Sequence, residues 1–207
     1  MLKNFPKITL IILGISGLFH PAANAGVPTN QVRSTIDQVL AILQDPSLKP
    51  ESKQKERREQ LRRVIFARFD FAEMARRSLG PEWGRRTPAE QQEFITIFTD
   101  LLQDNYLWTI ESYNGEKVAY NRELQDQDNA EVQTKLTAKD AVYSINYRLH
   151  LVGNDWKVYD VVIENISLVN NYRSQFNRVI SKSSYQDLVR TMKEKTLSGR
   201  NGSQPLR

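Results

Sequence analysis

The 207-residue chain has no cysteine and only two histidines, His20 and His150. No disulfide can support it, so an apolar core must hold it together. Common zinc sites draw on several Cys and His ligands, more than this composition supplies. There is no P-loop, no dinucleotide-binding fingerprint and no Gly-rich nucleophile elbow. A Ser-His-Asp relay would have to use His150, which falls on the polar side of its strand. Carboxylate pairs such as Asp126 and Asp128, or Glu90 and Glu93, read as turn and helix-face residues, with no shared desolvated site. Catalysis therefore has few groups to work with, and an enzyme ranks last among the functional readings. Long apolar runs are absent too. After residue 25 none reaches the length a transmembrane helix needs.

The first 25 residues are of another kind. Lys3 and Lys7 form a positive n-region, Ile8 to Phe19 an apolar h-region, and Ala23-Asn24-Ala25 a small-residue cleavage site. This predicts an exported chain whose signal peptide, residues 1–25, is removed after Ala25. Losing the two lysines lowers the formal charge of +5 to +3. That excess suits an anionic partner or surface without specifying one. Arg57, Arg58, Arg62 and Arg63 concentrate it on one predicted helix, interspersed with Glu56 and Glu59. The bland reading is a solvated face laced with i,i+4 ion pairs; the alternative is a patch for an anionic membrane or a partner. Nucleic acid is a poor candidate, because the acids are interspersed and the aromatic residues fall on apolar faces.

Periodicity divides the rest into helices, strands, then helices. Val32, Ile36, Val39, Leu40 and Leu43 form a helical stripe ended by Asp45-Pro46. A second helix spans Glu51 to Phe66 and a third Phe71 to Leu79, stopping at Gly80-Pro81. Thr87-Pro88-Ala89-Glu90 carries a capping box and opens a long helix ended by Asn114-Gly115. Its large apolar residues, including Phe94, Phe98, Leu102, Leu107 and Trp108, exceed what one core-facing stripe needs. Strands are predicted at Lys117–Leu124, Glu131–Thr137, Ala141–Val152 and Trp156–Ile163, with short turns between them. This gives an antiparallel meander with one apolar face, covered by helices, in an α+β class. Tyr143, Ile145, Tyr147, Leu149 and Leu151 share that face, and Tyr159, Val161 and Ile163 are expected to do the same. Helices Leu168–Lys182 and Tyr185–Leu197 end a domain of residues 26–197. The Gly/Ser-rich tail 198–207 is expected to be disordered.

One segment is more specific. In Trp156–Phe176 the side-chain period changes from strand to helix at Glu164-Asn165-Ile166-Ser167-Leu168. Asn165 tolerates left-handed backbone angles, and Ser167 can cap the helix that follows. This corner resembles the signature of the MlaC (toluene-tolerance) family of periplasmic phospholipid carriers, which usually has Glu-Gly-x-Ser-Leu there. Phe69-Asp70-Phe71, Met74-Ala75, Leu79-Gly80, Trp83, the Thr87–Gln92 cap and the Tyr185, Leu188, Met192 stripe follow the family's order.

The resemblance implies a curved four-stranded antiparallel sheet wrapped by helices around an apolar lipid cavity. It implies no catalysis and no cofactor, only phospholipid as cargo. The expected partners are an outer-membrane lipoprotein–porin complex (MlaA-like) and an inner-membrane ABC transporter (with an MlaD-like component). The expected lipid-binding residues are Phe98, Leu102, Tyr106, Tyr147, Leu149, Val161, Ile163, Tyr172 and Phe176, with Trp83 at the mouth. Periodicity alone does not separate such a chamber from a filled core. The second reading is thus a periplasmic interaction module with a solid core, docking through Arg57 to Arg63.

Overall fold

Cap and turn chemistry sets the element boundaries. In the structure, a computed structural model describing residues 26–139 and 141–200, helix α1 spans Val27–Gln44. Its first turn is held by a distant carboxylate: the Thr29 N–H donates to Glu123 Oε2 at 2.8 Å. Two short 3-10 turns, Pro46–Leu48 and Glu51–Lys53, lead into α2, Gln54–Arg68. Helix α3, Phe71–Leu79, is capped by Asp70, whose Oδ1 accepts from the Glu73 N–H at 2.9 Å. It stops at Gly80, whose φ of 62° is open to glycine at little cost. The capping box forms as expected, with Glu90 accepting from the Thr87 N–H and Thr87 Oγ1 from the Glu90 N–H. It starts α4, Pro88–Glu111.

The sheet follows as β1 Lys117–Asp126, β2 Asn129–Thr137, β3 Val142–Val152, β4 Asp155–Ile163 and β5 Ile166–Ser167. The strands pair antiparallel in chain order, so the meander is open and has five strands rather than four. The extra strand is two residues long. Glu164 and Asn165 have φ of 48° and 65°, the positive pair that a type I′ turn requires, and Ile163 pairs with Ile166 across them. Ser167 then caps α5, Leu168–Lys182, accepting from the Asn170 N–H at 3.0 Å. Helix α6, Tyr185–Arg200, runs past Leu197, where the helix was expected to end. The expected signal peptide and the last seven residues lie outside the described residues.

One expected face is corrected. A bulge in β4 shifts the register between Arg148↔Asp160 and Leu149↔Val158. Val158, Val161 and Ile163 therefore stand opposite Leu149, Tyr147 and Ile145, while Tyr159 turns to the other side. There its ring meets His150 edge-on, and the Arg77 guanidinium lies 4.0 Å above it. That side was expected to be wet, but α3 and α5 cover it along β4. Two polar groups on that side find partners: His150 Nε2 lies 3.0 Å from Asp70 Oδ2. Asp160, 3% exposed, accepts from Ser167 Oγ, the Val169 N–H and Arg148.

Two apolar clusters result. One joins α3, α4, α5 and α6 through Met74, Phe94, Phe98, Tyr172, Phe176 and Met192. The other seats α1 on the sheet through Val32, Ala130, Val132, Leu149, Trp156 and Val158.

Candidate binding cavity

The excess of large apolar residues on α4 has a direct explanation. The N-terminal half of the helix is spent in the helical cluster, where Phe94 and Phe98 meet Phe176 edge-on. Towards its C-terminal end the helix leaves that cluster: Leu102 and Tyr106 border both, and with Leu107 and Ile110 they line a cavity of about 450 Å³. This lies within the roughly 300–1,000 Å³ of typical ligand pockets. Helix α1 supplies Val32, Ile36, Val39, Leu40 and Leu43 to the opposite wall, and α2 supplies Ile65 and Phe66. Phe69, Phe71 and Met74 continue the wall from α2 into α3. The floor is the sheet: Val118, Leu136, Ile145, Tyr147, Val158, Val161 and Ile163.

Five of the residues expected in a chamber are on this wall: Leu102, Tyr106, Tyr147, Val161 and Ile163. Phe98, Tyr172 and Phe176 are instead packed in the helical cluster, and Leu149 in the cluster between α1 and the sheet. Trp83 sits in a 3-10 turn against the helical cluster and does not line the cavity. The same spacing that puts Phe98 and Leu102 on one helix face cannot tell where along α4 the packing stops. The stripe on α1 was legible as apolar, but its place in the wall was missed. Five large aliphatic residues on a single helix were the available signal.

The wall carries almost no charge. Burial pushes the Tyr106 and Tyr147 hydroxyls well above the ordinary phenol range, and that of Tyr120, near Tyr147, to about 12. All three are neutral at physiological pH. Three charged residues line the cavity: Arg62, Arg68 and Glu116. Arg68 is fully engaged, donating to Asp155 Oδ1 at 2.7 Å, Gln31 Oε1 at 2.8 Å and Thr35 Oγ1 at 3.2 Å. Gln31 in turn accepts from the Trp156 N–H, so one network binds α1, α2 and β4.

The mouth is marked by the lining residues that remain exposed: Arg62 and Phe66 on α2, Thr109 and Ser112 at the end of α4, and Ile163 at the end of β4. Beside it, Glu111 receives two arginines. Arg57 reaches Oε1 at 3.0 Å and Arg58 reaches Oε2 at 2.8 Å, and Arg57 also donates to the Leu48 carbonyl. Two of the four clustered arginines thus clamp α2 to α4 instead of forming i,i+4 pairs along their own helix.

An open antiparallel sheet and helices enclose a cavity that is apolar apart from Arg62, Arg68 and Glu116, a space of the kind that suits an apolar ligand. This chain belongs to the MlaC family, whose family model, described as MlaC protein, matches residues 33–194. It is 25% identical over 186 residues to the toluene tolerance protein ttg2D of Pseudomonas putida, covering 88% of this chain and 85% of that one. It is 23% identical over 129 residues to the intermembrane phospholipid transport system binding protein MlaC of Haemophilus influenzae, covering 59% and 58%. A phospholipid-binding protein of Ralstonia solanacearum, solved with a phospholipid, superposes with a TM-score of 0.75 at 29% identity. That match covers 84% of this chain and 98% of the other.

Proposed function

We propose that this protein is a periplasmic phospholipid carrier that holds acyl chains in the cavity and catalyses no reaction. The observation that carries this reading is the predominantly apolar cavity between α1, α2, α4 and the sheet. The relatives named for phospholipid binding and transport support it. Exposing acyl chains to water costs about 0.8 kcal/mol per CH₂, hence on the order of 25 kcal/mol for two long chains. A carrier between membranes must offset nearly all of that. Lipid therefore passes by direct docking to an outer-membrane lipoprotein–porin complex (MlaA-like) and an inner-membrane ABC transporter (MlaD-like component). The predicted signal peptide of residues 1–25 supports the periplasmic assignment.

On this reading Leu102, Tyr106, Tyr147, Val161 and Ile163 touch the lipid. Phe98, Leu149, Tyr172 and Phe176 back the wall without lining it, and Trp83 has no contact with the cargo. The test is organic extraction of protein purified without detergent, followed by mass spectrometry. Phospholipid is expected at a fixed ratio to protein; its absence from a folded preparation refutes the carrier.

A further inference from the structure

Along α2, the face towards the mouth reads Arg58, Arg62, Ile65, Phe66: charge gives way to apolar surface in the direction of the cavity. The first of these charges is already used, since Arg58 is held by Glu111. Arg62 is not. It is exposed, it lines the mouth, and among the described residues it forms no ion pair. Its guanidinium carbon lies 5.5 Å from the ring centroid of Phe66, another exposed residue of the rim. The other charged lining residues are occupied. Arg68 is paired with Asp155, and Glu116 turns onto its own loop, where Oε2 accepts from the Asn114 N–H at 2.7 Å. Among the described residues that line the mouth, Arg62 is thus the cation without an ion-pair partner, held only against the Phe66 ring at the boundary between water and an apolar wall.

A phospholipid has the matching polarity, with its phosphodiester where the acyl chains begin. Guanidinium binds phosphate through parallel N–H donors, and an apolar surround strengthens such a contact relative to open water. We infer, resting on the carrier reading above, that Arg62 is the contact for the phosphate group of a lipid whose chains occupy the cavity. The interaction makes the protein select phosphate-bearing lipids over phosphate-free lipids with the same chains. Arg63, exposed and outside the cavity lining, takes no part.

The experiment offers delipidated full-length mature protein vesicles containing dioleoyl phosphatidylglycerol and dioleoylglycerol, re-isolates it, and measures the ratio of the two bound lipids. Comparing wild type with Arg62→Gln cancels the vesicles' own preference. A charge-assisted contact at an exposed rim predicts that the ratio falls roughly tenfold in Arg62→Gln. The Arg63→Gln ratio should stay at its wild-type value. Equal ratios in wild type and Arg62→Gln overturn the assignment while leaving the carrier reading intact. Binding of neither lipid to folded protein defeats both. Inorganic phosphate, at ionic strength matched with chloride, should leave the wild-type ratio unchanged. If it collapses the ratio to that of Arg62→Gln, the site binds a free anion and the lipid assignment is overturned.

Discussion

Replacing Val161 by Phe asks whether the cavity is a void held open for a ligand. Val161 stands on β4 opposite Tyr147, and both line the cavity. Apolar voids in proteins cost about 24 cal/mol per Å³. For 450 Å³ that rate gives an upper bound of roughly 11 kcal/mol. Total stabilities of domains are about 5–15 kcal/mol, so such a void would consume most of the margin unless an apolar occupant offset it. A phenyl ring at position 161 has room to enter. It should stabilise the delipidated protein by about 1 kcal/mol through added apolar burial and remove most of the copurifying lipid. Urea unfolding of the delipidated proteins, with mass spectrometry of the purified ones, measures both effects. In a filled core the same change would overpack and destabilise by about 1–3 kcal/mol. That result, with lipid content unchanged, would refute the cavity.

Two further outcomes follow from the polar ties. Glu111, with a side chain only 7% exposed, holds Arg57 and Arg58 across the mouth. Glu111→Ala should lower the urea-unfolding free energy by about 2–3 kcal/mol, below the full cost of breaking a buried pair because Arg58 reaches solvent; a change under about 0.5 kcal/mol, as for an ordinary surface site, would show that the clamp is idle. Glu73 is held below the usual carboxylate range, first by its hydrogen bond from Arg76 and then by Arg77, against an opposing effect of burial. A depressed folded-state pKa stabilises above the unfolded value of about 4.3 and is lost as pH falls through the folded value. The stability gap between wild type and Glu73→Gln should therefore be flat from neutrality to about pH 5 and close on further acidification; a gap that widens in acid would reverse the sign of the argument.

The elements were legible because their signals are local. Thr87 and Glu90, Asp45-Pro46, Gly80 and Ser167 each act within a few residues, and each marks a boundary in the structure. Asn165 was legible as a left-handed corner, but the short β5 was not, because Glu164 also turns left-handed and gives no sequence sign of it. The bulge at Tyr159 was hidden for a related reason. Strict alternation from Trp156 to Ile163 reads Tyr159, Val161 and Ile163 as one face, and one unpaired residue breaks that face. Half of the expected wall was placed wrongly in depth rather than in polarity. Phe98, Tyr172 and Phe176 are as apolar as Leu102, Tyr106 and Val161, and periodicity does not record distance from a cluster's edge.

What keeps the cavity from collapsing is a division of labour within the fold. Interiors pack to crystal-like density wherever side chains can meet, and walls facing a void lack contacts on that side. Directional polar ties can hold such walls where apolar contact is missing, and three of them occur at the places required. Arg68 fixes α1, α2 and β4 to one another. Glu111 fixes α2 to the end of α4. Asp160 fixes β4 to the start of α5 and is the one buried charged residue among the described residues. The helical cluster anchors the same assembly from behind, with Phe94, Phe98, Tyr172 and Phe176 locked edge to face. These ties fix the spacing between the walls and oppose collapse, while an apolar occupant offsets the cost of the void.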